Sequence, residues 1–261
     1  MSVEVAAGAT VAEGARIGSD VLIGPGSVVG PDVVIGDRCR IGPLCVLDGR
    51  LELGPDCVLS SHSVLGSPPQ DLKYDGEPTT TRIGARNQFR EFTTVNRGTA
   101  GGGAETIIGD DNLFMTGAHV AHDCRVGSGT IFANNATLAG HVDVADCATV
   151  GAFSAVHQFC SVGRHAFIGG YTVCTKDVLP FIKTVGSRGD IKALGVNAIG
   201  LRRRGLEEES VSALQAVFRR LRRGRFGKDV LAELGTEELV PEVRELVDFV
   251  VAARERRGVH A

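Results

Sequence analysis

Aliphatic residues recur at every sixth position along most of this chain. From Val5 the beat falls on Val11, Ile17, Ile23, Val29, Ile35, Ile41, Leu47, Leu53, Leu59 and Leu65, and it returns at Ile83, Phe89 and Val95. It slips by one residue across a Gly-rich stretch, then runs by sixes from Ile108 through Phe114, Val120 and Val126 to Cys174. The residue after the beat is often Gly, as at Gly18, Gly24, Gly36, Gly109, Gly151 and Gly163. Four residues after it sits something small, such as Ser27, Cys39, Cys45, Cys57, Ala118, Cys124 or Ser154. A helix needs a period near 3.6 and an exposed strand a period of 2, so neither fits. Because six is a multiple of two, a short strand and a turn can share each hexad, with the aliphatic pointing inward and the small residue filling a crowded corner. Such hexads predict a parallel β-helix in which three of them, 18 residues, close one triangular coil.

The pattern breaks in three places. Residues 66–82 carry Pro68, Pro69, Gly76 and Pro78 and read as a loop leaving the coil. Residues 97–106 (RGTAGGGAET) form a second excursion, where the phase slip falls. After about residue 185 the beat stops. Glu207 to Arg223 then reads as an amphipathic helix with Val211, Leu214, Val217, Phe218 and Leu221 on one face, and Pro241 to Arg256 as another with Pro near its start. The expected organisation is a β-helical prism over 1–185 followed by a small all-α domain over 186–261.

Composition changes this picture little. The 35 glycines follow the repeat, so they do not indicate disorder. No apolar run approaches the roughly 18–20 residues that span a bilayer, and no basic start with an apolar segment marks a secretory signal. The seven Cys mostly occupy the small-residue beat and read as reduced packing residues of a cytoplasmic protein; no CxxC pair suggests zinc.

The histidines carry more. Val120, Leu138 and Val156 are 18 apart, so they share a face on three successive coils. His119 and His122 flank the first, His141 lies three past the second and His157 one past the third. With coils stacked about 4.8 Å apart, the four gather in one strip beside Asp123, Asn134, Asn135 and Gln158. Such a strip could be a solvated ladder, a metal site or a general-base site. As a base, neutral imidazole titrates close to cytosolic pH and can take a proton from a sugar hydroxyl; Asp123 can fix the tautomer of His122. Gly140 lacks a Cβ, so its N–H can approach a developing oxyanion. These parts suit direct acyl transfer from a thioester, without a covalent intermediate, a cofactor or a metal.

The segments SPPQDLKYDGEPT (67–79), DNLFMTGAHVAHDCRVG (111–127), ANNATLAGHV (133–142), GAFSAVHQFCSVG (151–163) and GVNAIGLRRRG (195–205) resemble the acyl-carrier-protein:UDP-N-acetylglucosamine O-acyltransferases of lipid A biosynthesis. The resemblance covers both loops and the tail. It implies a homotrimer of left-handed β-helices with sites between subunits. It also implies transfer of an (R)-3-hydroxyacyl chain from acyl carrier protein to the 3-hydroxyl of UDP-N-acetylglucosamine. By position, it makes His122 the base, Asp123 its partner and Gly140 the oxyanion amide, with His119, His141, His157 and Gln158 lining the cleft. It further gives Asp71 and Lys73 to the sugar, Asn197, Arg203 and Arg204 to the nucleotide, and Gly170 to the end of the acyl groove, where a missing side chain implies a long chain. Two departures stand out: Asn96 replaces a His of well-known members, and Ile199 an acidic residue of some.

From Arg202 to Arg225 the tail holds eight Arg against Glu207, Glu208 and Glu209. With little aromatic interleaving it suits an acidic carrier protein better than nucleic acid. The competing functions are a related acyltransferase with another sugar or donor, a metal hydratase on a hexapeptide trimer, and a silent scaffold.

Overall fold

Each hexad folds as a short strand and a turn. In the computed structural model, which describes residues 2–187 and 189–260, Val28–Val29, Val34–Ile35 and Arg40–Ile41 make one coil. Each strand pairs in parallel with the one 18 residues later, Val28 with Val46 and Val34 with Glu52. The strands collect into three sheets, the faces of a left-handed parallel β-helix. The first face includes Ile131–Phe132, the second His119–Val120 and the third Arg125–Val126.

Two-residue strands suffice because the residue on the beat is buried while its predecessor faces out. Inside, Phe89, Phe114 and Phe132 stack with ring centroids 4.9 and 4.8 Å apart, one per coil. At the N-terminal end Val5 is 46% exposed, since no earlier coil covers it.

The small residue at an inner corner often has a second duty. The thiols of Cys39, Cys45, Cys57 and Cys124 lie 3.1–3.2 Å from the carbonyl oxygens of Gly54, Ser60, Gly84 and Ala139 in the next coil. The hydroxyls of Ser27 and Ser154 donate to Gly42 and Gly169 in the same way. A corner therefore takes a small residue, alanine as at Ala118 and Ala136 or a donor that also reaches the next coil, as Cys does with its compact, weakly donating thiol. All seven cysteines are free, and burial pushes the Cys124 thiol up to about 12 and that of Cys160 to about 11.

The outer corners are columns of residues in the left-handed region. Asp123, His141 and Phe159 (φ +59°, +61° and +63°) form the corner between the second and third faces. Cys147, His165 and Phe181 form the corner between the third and first; Asn135, Phe153 and Tyr171 form the remaining one. The two loops interrupt this stacking without breaking the sheets: Val64 pairs with Thr94, 30 residues on, and Thr80 with Glu105, 25 on.

Past Cys174 the first face gains Ile182–Val185, which pairs antiparallel with Lys192–Val196. Four helices follow: α1 (Ala198–Arg203), α2 (Glu208–Arg223), α3 (Lys228–Gly235) and α4 (Pro241–Glu255). The expected face of α2, Val211, Leu214, Val217, Phe218 and Leu221, is buried, and Pro241 sits in the first turn of α4. These side chains build a second core with Leu201, Leu234, Leu246 and Val250. Arg164 ties the prism to α4 through Glu245 at 2.7 Å. The buried carboxylate of Asp177 accepts from the Ser161 N–H and from Arg256. Among the described residues no helix is long and apolar enough to cross a membrane.

Candidate active site

The corner between the second and third faces concentrates the polar chemistry. His122 opens the turn after strand His119–Val120, and its Nδ1 lies 2.7 Å from Asp123 Oδ2. Asp123 is buried, and its carboxylate is held from the other side by the 97–106 excursion. There the Thr99 N–H donates to Oδ1 at 2.9 Å and the Thr99 hydroxyl to Oδ2 at 2.6 Å. The Asp123 N–H in turn donates to Thr106 Oγ1. With Nδ1 turned to a carboxylate, His122 carries its proton there and leaves Nε2 as the acceptor.

One coil on, Gly140 stands under His122. A Cβ built at Gly140 would lie 2.5–3.1 Å from the imidazole atoms, so the absent side chain makes room for the ring as well as for an approaching substrate. Among the described residues the Gly140 N–H has no acceptor; its carbonyl receives the Phe159 N–H. His141, in the column of Asp123, has Nε2 3.8 Å from Asp123 Oδ2 and meets His122 edge-on at 5.1 Å. Phe159 stacks on His141 at 4.5 Å.

His119 sits on the outer side of the second face, with Nδ1 2.7 Å from Thr94 Oγ1. Burial, and secondarily a charge on His122, holds it below the ordinary histidine value, so it stays neutral at cytosolic pH. His157 and Gln158 are exposed on the next coil, and Gln158 continues the column of His122 and Gly140. The structure thus brings His122, Asp123, Gly140 and His141 together, while His119 and His157 flank that centre.

The first loop leans onto the same corner. Asp71, Lys73, Tyr74 and Glu77 line a 270 Å³ cavity with Thr99, His141 and Phe159. The root of the loop is held by Asn96, whose buried amide donates to Ser67 Oγ at 2.9 Å and to the Pro68 carbonyl at 3.0 Å. The guanidinium of Arg97 lies over the Tyr74 ring.

Asn197, Arg203 and Arg204 lie elsewhere in the chain. They border a 490 Å³ cavity on the first face with Cys147, Thr149, His165, Lys183 and Ile199, beside the corner between the third and first faces. Asn197 caps the start of α1 and its amide contacts the His165 carbonyl; Arg204 donates to the carbonyl of Gly129. Gly170 is an exposed turn glycine at the remaining corner. One chain by itself therefore does not bring these residues to His122.

Sequence reasoning did not single out Thr99, which fixes the Asp123 carboxylate, or Thr106, which accepts the Asp123 N–H. Their only signal is that the RGTAGGGAET excursion leaves and rejoins the coil beside Asp123. The donor atoms of His122, Asp123 and His141 lie within 4.8 Å of one another, a spacing that could also hold a cation.

Comparison with known proteins bears on what this geometry does. Residues 177–260 match the family model described as domain 2 of UDP-N-acetylglucosamine O-acyltransferase, and residues 14–49 and 105–140 match that of bacterial transferase hexapeptide repeats. The chain is 48% identical over 192 residues to the acyl-(acyl-carrier-protein)–UDP-N-acetylglucosamine O-acyltransferase of Paracoccus denitrificans, covering 74% of this chain and 72% of that protein. It is 46% identical over 196 residues to the protein of the same name from Anaeromyxobacter, covering 74% and 75%. The solved UDP-N-acetylglucosamine acyltransferase of Campylobacter jejuni superposes with a TM-score of 0.92 at 33% identity, covering 99% of both chains.

Proposed function

The chain belongs to the acyl-(acyl-carrier-protein)–UDP-N-acetylglucosamine O-acyltransferase family, and from that premise we propose how its corner site works. The reaction moves an acyl group from acyl carrier protein to UDP-N-acetylglucosamine in lipid A biosynthesis. In our reading the group is an (R)-3-hydroxyacyl chain, the acceptor is the sugar 3-hydroxyl, and both substrates meet the enzyme in the cytoplasm. His122 is the general base: its Nε2 takes the proton of the hydroxyl as that oxygen attacks the thioester carbonyl. The Gly140 N–H receives the negative charge that develops on the carbonyl oxygen. Collapse of this tetrahedral species expels the carrier thiolate, which takes the proton back from Nε2. Asp123 keeps the proton of neutral His122 on Nδ1 and faces the imidazolium once it forms.

The observation that carries this reading is the 2.7 Å contact of His122 with a buried carboxylate that Thr99 holds through two further hydrogen bonds. Asp71 and Lys73 would contact the sugar from the loop, and His119, His141, His157 and Gln158 would line the cleft. Gly170 would leave the acyl groove open for a long chain. Asn197, Arg203 and Arg204 would hold the nucleotide from a neighbouring subunit, because their cavity lies on a different face from His122. A homotrimer with sites between subunits brings the two together. Carrier protein would dock on α2 and its flanks. Arg202 and Arg220 are paired there with Glu208 and Glu237, while Arg203, Arg219, Arg222, Arg223 and Arg225 have no carboxylate within 4.0 Å among the described residues.

The test is a direct assay with UDP-N-acetylglucosamine and a series of 3-hydroxyacyl carrier proteins, products read by mass spectrometry with and without chelator. A chelator-insensitive 3-O-acyl product supports the reading. Loss of activity on chelation would favour a cation at His122, Asp123 and His141 instead. His122→Ala should lower kcat by about 10²-fold or more with the assembly intact; turnover within a few fold of wild type would remove the base from His122.

A further inference from the structure

Taking the acyltransferase reading as given, we propose that Arg257 is a further substrate-binding residue. Held over the active-site corner by the docked C-terminal tail, it receives a phosphate oxyanion carried by one of the two substrates.

The chain past α4 is fastened on both sides of Arg257. Before it, the Arg256 guanidinium binds the buried Asp177 carboxylate at 2.9 Å. After it, Gly258, whose φ of +71° allows the turn, accepts the Asp177 N–H through its carbonyl, and Val259 bridges Asp177 in parallel. His260 then closes the contact: its buried Nε2 accepts the N–H groups of both Thr175 and Lys176 at 3.1 Å. Residues 256–260 thus lie along the end of the last coil, and Arg257 is the one side chain of this run directed at the catalytic corner. Its Nη1 is 3.4 Å from His157 Nδ1, and its guanidinium sits 5.9 Å from the Phe159 ring centroid.

Two features point to an anion. Among the described residues no carboxylate comes within 4.0 Å of Arg257, whereas its neighbour Arg256 is paired with Asp177 through Nε and Nη2. Its surroundings, a histidine nitrogen and an aromatic face, leave most of its five donors unspent, and a planar fork of donors fits phosphate oxygens. Phe159 also stacks on His141, which touches Asp123, so the ring that the cation faces stands two coils from the buried carboxylate, about 10 Å along the corner. Both substrates carry phosphate: the diphosphate of the nucleotide sugar, and the phosphodiester that joins the donor's pantetheine arm to its carrier protein.

Arg257→Gln and Arg257→Lys would be compared with wild type by steady-state kinetics against each substrate in turn. Arg257→Gln should raise KM for one of the two about tenfold or more, with kcat changed less than about threefold, and Arg257→Lys should recover most of the loss. The substrate whose KM moves identifies the phosphate. A KM within twofold of wild type for both substrates would overturn the proposal. Calorimetric titration of wild type and Arg257→Gln with UDP-N-acetylglucosamine and with 4′-phosphopantetheine reads binding without turnover. If wild type transfers no acyl group, the reaction assigned above fails, and equal affinities in these titrations would independently remove Arg257.

Discussion

The corner site depends on how a few atoms divide one carboxylate. Asp123 Oδ2 serves the His122 N–H and the Thr99 hydroxyl together, and Oδ1 takes the Thr99 N–H. Asp123→Asn keeps the shape but replaces one acceptor with a donor. Either Thr99 or His122 then faces an N–H where it needs an oxygen, and a ring driven to the other tautomer has no free Nε2. We expect kcat to fall by about 10²–10⁴-fold with KM much less affected. Thr99→Val removes the 2.6 Å hydroxyl donor but keeps the backbone N–H, so its loss should be smaller, about tenfold. Gly140→Ala tests the same pocket sterically. A methyl there would meet the His122 ring at 2.5–3.1 Å, against backbone that cannot retreat in a closed coil. Its kcat should therefore drop although no ionisable group is lost, and rates close to wild type would show that the ring can shift without consequence. His122, Asp123 and Gly140 were legible because 18-residue arithmetic stacks them. Thr99 was not: it arrives through a loop of seven extra residues, whose path no repeat prescribes.

The same contrast runs through the elements. Strands of two residues carry almost no propensity signal of their own, yet all were foreseeable because each repeats its neighbour's phase. Helices α2 and α4, with 16 and 15 residues, show several turns of apolar periodicity. Helix α1 has 6 residues and α3 has 8, too few for a period to stand out, and they are helical mainly because Leu201, Leu231 and Leu234 fill the second core. The docked tail after α4 has no sequence signature at all, and pH should act through it. Burial, and then the charge of Lys176, lowers His260 from 6.5 to about 4. His165, buried beside Arg164 and Arg204, is lowered to about 4 as well. Between those values the unfolded chain holds protons that the folded one excludes, so lowering the pH favours unfolding. Thermal stability should accordingly be flat above about 6.5 and decline as the pH falls toward 4. His260→Gln supplies an uncharged acceptor in place of Nε2, so its melting temperature should fall less steeply over that window. An equal slope in the variant would mean that the tail does not sense the proton.

At the scale of the whole molecule, the two halves of the proposed site stand on different faces of one prism. His122 and the loop residues Asp71 and Lys73 belong to the corner between the second and third faces. Asn197, Arg203 and Arg204 border the first face, where α1 begins. No motion of side chains can join them, because the β-helix between is a continuously hydrogen-bonded solid. A closed ring of three copies can, by presenting the corner of one subunit to the first face of the next. This arrangement makes a prediction that a self-contained site does not. His122→Ala should leave the Arg203–Arg204 face intact, and Arg204→Ala should leave the base intact, each being nearly inactive by itself. If the two are co-expressed and assemble at random, a site is whole only when its corner comes from an Arg204→Ala chain and its facing surface from a His122→Ala chain. That coincidence has a chance of one half times one half, so the randomly assembled population as a whole should recover about a quarter of the wild-type rate per site. Recovery should also vanish when either variant is supplied in large excess, since whole sites need both. Mixed assemblies as inactive as the single variants would mean that each chain completes its own site, and that Arg204 works on the Gly129 corner of the subunit that carries it.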